Sequence, residues 1–192
     1  MGVGIVFGLQ NSGKSRAIDA FVSRHGPPLR TVQFARMYEL PMPFARDFTS
    51  HVVVMNSSRQ ERNCSTQDPD EMAQRFVESM RMYETVGADC ALVSFSLVED
   101  RGTLLIGLIE QPLRALIANE HRVRIVYIRR PSRAHTAEAD LCFLRVSELR
   151  GLEGAEVVDN FEGRPADEPA DLLESTIWRL AIPRMAITAL GR

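Results

Sequence analysis

Lysine is almost absent from this chain of 192 residues. Of its 23 lysine and arginine residues, Lys14 is the single lysine and all the others are arginine. An arginine-rich composition alone says little about function. Lysine carries a compact ammonium on a flexible stem, whereas arginine carries a broad planar guanidinium, so the two do not substitute for each other at a narrow site. The position of Lys14 therefore needs a chemical explanation.

Cysteine and long apolar runs are also scarce. The three cysteines, Cys64, Cys90 and Cys142, lie far apart and form no Cys-x-x-Cys or Cys/His pattern, so neither a zinc site nor a disulfide framework is predicted. No apolar run approaches the roughly 20 residues of a membrane-spanning helix. The apolar stretch at the N-terminus lacks the basic leader of a signal peptide. We therefore expect reduced thiols, a cytoplasmic location and no membrane partner.

Charge and composition narrow the function classes further. The net charge is -2 and the isoelectric point is near 6.1, which argues against a protein that binds nucleic acid chiefly through bulk positive charge. Hydrophobic residues make up 45% and charged residues 25% of the chain, as in an ordinary globular protein. The length suits one well-buried domain.

The sole lysine lies in a glycine-rich segment near the N-terminus. The segment reads Gly8, Leu9, Gln10, Asn11, Ser12, Gly13, Lys14, Ser15 and Arg16. Its first eight residues match the phosphate-loop pattern G-x-x-x-x-G-K-[ST] at every fixed position. In that pattern the glycines allow the backbone amides to surround a phosphate, the lysine reaches the β- and γ-phosphates, and the hydroxyl of Ser15 binds Mg²⁺.

The surroundings of this segment also match. An apolar run, Ile5–Phe7, precedes it, and Ala17, Ile18 and Phe21 after it share one helical face. A helix that starts at the loop directs its partial positive charge at a bound anion. The chain thus resembles the P-loop NTPase superfamily, specifically over about 25 residues. The resemblance implies that residues 8–16 bind ATP with Mg²⁺.

The rest of the chain alternates between strand-like and helix-like segments. Further strands are predicted at Arg30–Arg36, His51–Met55, Cys90–Leu97, Val123–Ile128, Leu141–Val146 and Ala155–Val158. Helices are predicted at about Pro69–Val86, from near Pro112, and at about Pro169–Ala181. Between Val98 and Ile109 the pattern fits either a hairpin or a loop leading into a helix kinked at Pro112.

This alternation predicts an α/β fold, a three-layer sandwich with a mostly parallel central sheet, similar to the P-loop NTPases. We expect residues 1–163 to form the nucleotide-binding domain. Residues 164–192 should form a C-terminal helix and tail that pack on the same domain.

The resemblance implies a second acid, at the end of another central strand, that helps to hold Mg²⁺. Asp100, with Glu99 as its companion, is the preferred candidate for the metal site and for catalysis, although this pair also suits a solvated turn. Asn56 follows the HVVV run and is a weaker candidate. Asp159 follows the last, weak strand.

Arginines after the Val123–Ile128 strand are the other catalytic candidates. If that strand is parallel to the strand before the phosphate loop, Arg129 and Arg130 lie on the ligand side of the sheet, where they could stabilise phosphoryl charge. Arg133 belongs to the same segment. The alternative is a solvated basic loop, or surface pairing with Glu138 and Asp140.

Several classes of P-loop protein remain open. A GTPase is disfavoured because the chain has no suitable Asp-x-x-Gly, and its single lysine excludes Asn-Lys-x-Asp. The additional strand His51–Met55 favours an ATPase that acts on a protein or nucleic-acid partner, with a homo-oligomer left open. A small-molecule or nucleotide kinase is the first alternative, in which Cys90–Leu97 neighbours the phosphate-loop strand. A binding module that uses nucleotide without catalysis is the second.

Overall fold

The computed structural model describes residues 1–24, 31–33, 42–43, 51–56, 69–85, 88, 90–97, 99–100, 103–104, 107–131, 135–160 and 167–181. The strands are β1 (Gly2–Leu9), β2 (Thr31–Gln33), β3 (Met42–Pro43), β4 (His51–Asn56), β5 (Cys90–Leu97), β6 (Glu99–Asp100), β7 (Thr103–Leu104), β8 (Arg122–Arg129) and β9 (Gly154–Asp159). The helices are α1 (Lys14–Arg24), α2 (Pro69–Thr85), α3 (Gly107–Ala118), α4 (Thr136–Ser147) and α5 (Asp167–Ala181).

Six parallel strands form the main path of the central sheet, in the order β2-β4-β5-β1-β8-β9. The short β3 pairs antiparallel with β4, and β6 and β7 form a separate hairpin. β1 lies in the middle of the path, between β5 and β8. The predicted α/β fold with a mostly parallel sheet is therefore confirmed.

Both faces of the sheet are buried, which explains why its central strands are nearly continuous apolar runs. Side chains alternate along β1: Val3 and Phe7 belong to the apolar cluster that includes residues of α2, α3 and α4. Val6 belongs to the cluster on the other face, with α1 and α5. The three layers are thus α2, α3 and α4, then the sheet, then α1 and α5.

The C-terminal helix α5 packs beside α1 on one face of the sheet. Leu173 and Ile177 of α5 are fully buried in the same cluster as Phe21 of α1. Arg24, the last residue of α1, donates to the carboxylates of Asp167 and Asp171 in α5. The tail after α5, residues 182–192, lies outside the described residues.

The predicted strand at Leu141–Val146 is wrong, because these residues belong to α4. Ala139, Cys142 and Val146 are buried at helical spacing, whereas Leu141 and Leu144 are 66% and 55% exposed. Exposed leucines produced an apolar run that resembles a buried strand, although they do not belong to the core.

Other predicted elements are found with adjusted ends. The helix expected from near Pro112 begins at Gly107, so the proline lies inside it. The segment between Val98 and Ile109 contains the hairpin, formed by β6 and β7, and then the start of α3. Of the predicted strand Arg30–Arg36, the structure describes Thr31–Gln33 as strand β2, and the other residues lie outside the described residues. Within the described ranges, no helix has the length and apolar character needed to cross a membrane.

Candidate functional site

The glycine-rich segment forms the connection between β1 and α1. β1 is paired with β5 along its whole length, up to Leu9 opposite Leu97, and α1 begins at Lys14. The loop therefore lies at the carboxyl end of a central parallel strand. Open α/β sheets bind their ligands at this edge.

Both fixed glycines of the loop are required by its geometry. A Cβ atom at Gly8 would lie 2.5 Å from the backbone oxygen of Ile128 in β8 and 2.8 Å from Oγ of Ser12. Gly13 has a φ of +99°, in the left-handed region that favours glycine. The loop therefore packs against β8 more closely than any side chain at position 8 would allow.

Lys14 folds back across the loop. Its Nζ donates hydrogen bonds to the backbone oxygens of Gly8 at 3.1 Å and Leu9 at 2.8 Å, and the residue is buried. The ammonium is therefore held at the end of β1, inside the turn, and does not extend into solvent. A compact ammonium can make both bonds at once, whereas the guanidinium of an arginine is broad and planar.

Donors from neighbouring strands hold the other side of the loop. Nη1 of Arg130, just after β8, donates to the backbone oxygen of Asn11 at 3.0 Å. Nδ2 of Asn160, just after β9, donates to the backbone oxygen of Ser12 at 2.7 Å. The prediction that Arg130 lies on the ligand side of the sheet agrees with this contact; its catalytic role stays a prediction.

The donors present suit a phosphate group and an associated Mg²⁺. Ser12 is fully buried, and its hydroxyl has no hydrogen-bond partner among the residues that the structure describes. Lys14 supplies a positive charge within the loop. Ser15, an exposed residue in the first turn of α1, carries the hydroxyl that would bind Mg²⁺. Gln10 and Arg16 are exposed beside them.

A stack of aromatic rings supports the strand ends beneath the loop. Phe7, which directly precedes Gly8, stacks on Tyr127 of β8 with ring centroids 4.8 Å apart, and Phe143 of α4 stacks on Phe7 at 5.8 Å. Burial raises the pKa of Tyr127 above the usual range, and the nearby Asp140 carboxylate adds to this effect. The phenol is therefore neutral at physiological pH and serves as part of the core.

Arg129 makes ion pairs with two carboxylates. Its Nε lies 2.8 Å from Oδ1 of Asp159, and its Nη1 lies 3.7 Å from Oδ2 of Asp140. This arrangement agrees in part with the alternative of surface pairing. The catalytic role expected for Arg129 remains a prediction, and Arg133 lies outside the described residues.

The candidate acids are located only at the level of the backbone. Glu99 and Asp100 form β6, which pairs with β7 directly after β5. Asn56 ends β4 and lies opposite Ser94 of β5. The side chains of Glu99, Asp100 and Asn56 lie outside the described part of the chain, so their proposed roles stay predictions. Within that part, no cluster of three or more histidine, cysteine or acidic residues could hold a metal ion.

Asn160 contacts the loop but was not among the predicted site residues. Asp159, the last residue of β9, was the candidate from this strand, and Asn160 follows it directly. The signal that could have identified Asn160 is its position, because a polar residue directly after a strand parallel to β1 lies at the ligand edge.

Comparison with known proteins identifies the fold of the chain but no family and no activity. No protein-family profile and no curated protein sequence matches this chain. The solution NMR structure of a de novo designed protein with a P-loop NTPase fold is similar, with a TM-score of 0.50 over 94% of each chain and 11% sequence identity. Since the two sequences are so different, this likeness concerns the fold alone. The chain has a P-loop NTPase-like fold.

Proposed function

We propose that this chain binds Mg·ATP through the loop between β1 and α1 and hydrolyses it to act on a protein or nucleic-acid partner. The observation that carries the proposal is the buried Lys14, whose Nζ is held by the oxygens of Gly8 and Leu9. An ammonium held in this position offers a fixed positive charge to an anion at the carboxyl end of β1. A triphosphate beside this loop would supply the opposite charge.

Each loop residue has a definite task in this proposal. The backbone amides and Lys14 bind the β- and γ-phosphates, and the hydroxyl of Ser15 binds the metal. Bound Mg²⁺ neutralises phosphate charge. Arg130, held beside the loop by Asn11, could stabilise charge on the γ-phosphate, and Asp100 with Glu99 could complete the metal site.

The order of the strands is compatible with both enzyme classes. β4 is an additional strand that lies beyond β5, so β5 separates it from β1. An additional strand of this kind is the feature by which the chain resembles ATPases that act on macromolecules. The same order also suits the kinase alternative, because β5 is the direct neighbour of β1 and Glu99 and Asp100 follow β5 in the chain.

Release of inorganic phosphate separates the two enzymes. An ATPase releases phosphate from Mg·ATP without a small acceptor, and release rises when the correct DNA, RNA or protein is added. A kinase releases almost none until its acceptor is present, because a closed site excludes water. The assay couples ADP formation to a screen of nucleosides, nucleotides and sugars. The variant Lys14→Ala should lose turnover, and Arg75→Ala, which changes an exposed arginine of α2, should retain it.

Neither phosphate release nor acceptor-dependent ADP formation, in a protein that still binds Mg·ATP, would point to the nucleotide-dependent binding module. The absence of ATP binding would overturn the ATPase, the kinase and the binding module alike.

A further inference from the structure

The register of β8 and β9 places two polar residues side by side at the ligand edge. Arg129 lies opposite Asp159 in the parallel pairing. Arg130 and Asn160 are the next residues along the two strands, and both contact the phosphate loop. The ion pair between Arg129 and Asp159 joins the two strand ends just before these contacts.

Asn160 is fixed by hydrogen bonds at both its backbone and its side chain. Its backbone N–H donates to the oxygen of Arg129 at 2.7 Å, and its Nδ2 donates to the oxygen of Ser12 at 2.7 Å. A Cβ atom at Gly13 would lie 2.1 Å from Nδ2 of Asn160. The side-chain amide therefore occupies the space in which any other residue at position 13 would place its side chain.

The bond to Ser12 determines the direction of the next amide. In a trans peptide the C=O and N–H groups point in opposite directions. The oxygen of Ser12 points to Asn160, so the N–H of Gly13 points away from β9. Arg130 acts on the preceding peptide in the same way: it holds the oxygen of Asn11, and the N–H of Ser12 donates to Leu9 at 3.1 Å.

We infer that Asn160 is a positioning residue of the phosphate loop, which turns the N–H of Gly13 toward the bound phosphate by holding the oxygen of Ser12. The inference rests on the proposed function for its ligand. A concave arrangement of N–H groups is what an anion site requires, and the wrong orientation of one peptide would place an oxygen against the phosphate. Asn160 achieves this from a strand two positions away from β1.

Two variants and a matched control test this inference. Asn160→Ala removes the donor, and Asn160→Asp keeps the shape of the side chain but replaces the donor by a carboxylate oxygen. Asn119→Ala is the control, because Nδ2 of Asn119 also donates to a backbone oxygen, that of Ala115 at 2.8 Å, far from the loop in sequence at the end of α3. Two quantities are measured. The first is the amide hydrogen exchange of Ser12 without nucleotide, because this N–H is held by the oxygen of Leu9 inside the loop. The second is the Kd of Mg·ATP.

We expect faster exchange of the Ser12 amide in both Asn160 variants and not in the control, because the loop opens more easily once the Ser12 oxygen is no longer held. Binding of Mg·ATP should weaken by about threefold to tenfold in Asn160→Ala and further in Asn160→Asp, with the control unchanged. Unchanged exchange at Ser12 in both variants would overturn the inference, whether or not the parent protein binds nucleotide. A parent protein that bound no Mg·ATP would overturn the proposed function, and the exchange measurement would still decide whether Asn160 holds the loop.

Discussion

Replacing Gly8 by alanine tests how closely the phosphate loop packs against β8. The new Cβ would lie 2.5 Å from the backbone oxygen of Ile128 and 2.8 Å from Oγ of Ser12. Even close carbon–oxygen contacts are about 3.3 Å long. The first clash therefore requires β8 or the end of β1 to move, since a backbone oxygen cannot rotate away as the end of a side chain can.

The structure supplies a control in the same strand. A Cβ at Gly4 would lie 3.2 Å from Cδ1 of Leu92, the flexible end of a side chain. Overpacking that moves the backbone costs about 1–3 kcal/mol. Where the neighbour can yield, the reduced entropy of the unfolded chain offsets part of the cost, by about 0.4–1 kcal/mol. We therefore expect Gly8→Ala to lose about 1–3 kcal/mol of unfolding free energy, and Gly4→Ala to stay within about 1 kcal/mol of the parent.

Urea denaturation followed by circular dichroism measures both values. The backbone oxygen of Gly8 accepts a hydrogen bond from Lys14, so a shift of this residue also moves the lysine. Gly8→Ala should therefore lower the rate of ATP hydrolysis by up to about a hundredfold, whereas Gly4→Ala should not. Equal stability of the two variants, with parental activity in Gly8→Ala, would refute the close packing of the loop against β8.

Three further predictions concern buried polar groups. Lys14→Arg should fold but should lose nearly as much ATP turnover as Lys14→Ala in the coupled assay, because the guanidinium is too broad for the loop; parental turnover in Lys14→Arg would contradict this. Burial raises the pKa of Tyr83 to about 12 from 10.0, so the unfolding free energy should be fully retained below pH 10 and should fall as the pH rises toward 12. In urea titrations, Tyr83→Phe should reduce this fall, and an equal fall in both proteins would contradict the prediction. Burial raises the pKa of the Cys142 thiol to about 11, so a thiol reagent should modify Cys142 only as fast as the protein unfolds. Mass spectrometry of the peptide that contains Cys142 measures this rate, and rapid labelling of the native protein would contradict the burial of the thiol.

The parts of the fold that could be predicted are those with a strong local signal. Cys90–Leu97 is a strand with the predicted bounds, because a strand buried on both faces is apolar throughout. The segment Leu141–Val146 has a similar composition but forms a helix, and its exposed leucines are recognisable only once the neighbouring layers are known. Periodicity identifies a buried face only when the apolar residues of a segment belong to the core.

The candidate site divides in the same way. The loop at Gly8–Ser15 is contiguous in sequence and matches a fixed pattern, so it could be recognised from the sequence. Asn160 contacts the loop although it lies 148 positions away from Ser12 in the sequence. Only the register of β8 and β9 brings it there. Arg129 could be placed at the correct edge, but its pairing with Asp159 depends on the strand order, which the sequence does not state.

Phosphate binding by the loop around Lys14 is the part of the proposed function on which the rest depends. Calorimetric titration of the full chain with Mg·ATP tests it most directly, with adenosine as the ligand that lacks phosphate and Lys14→Ala as the variant that lacks the ammonium. We expect a Kd of about micromolar order for Mg·ATP, no measurable binding of adenosine, and binding that is weaker by about tenfold or more in Lys14→Ala. No binding of Mg·ATP at millimolar concentration, or equal binding by the parent and Lys14→Ala, would contradict it.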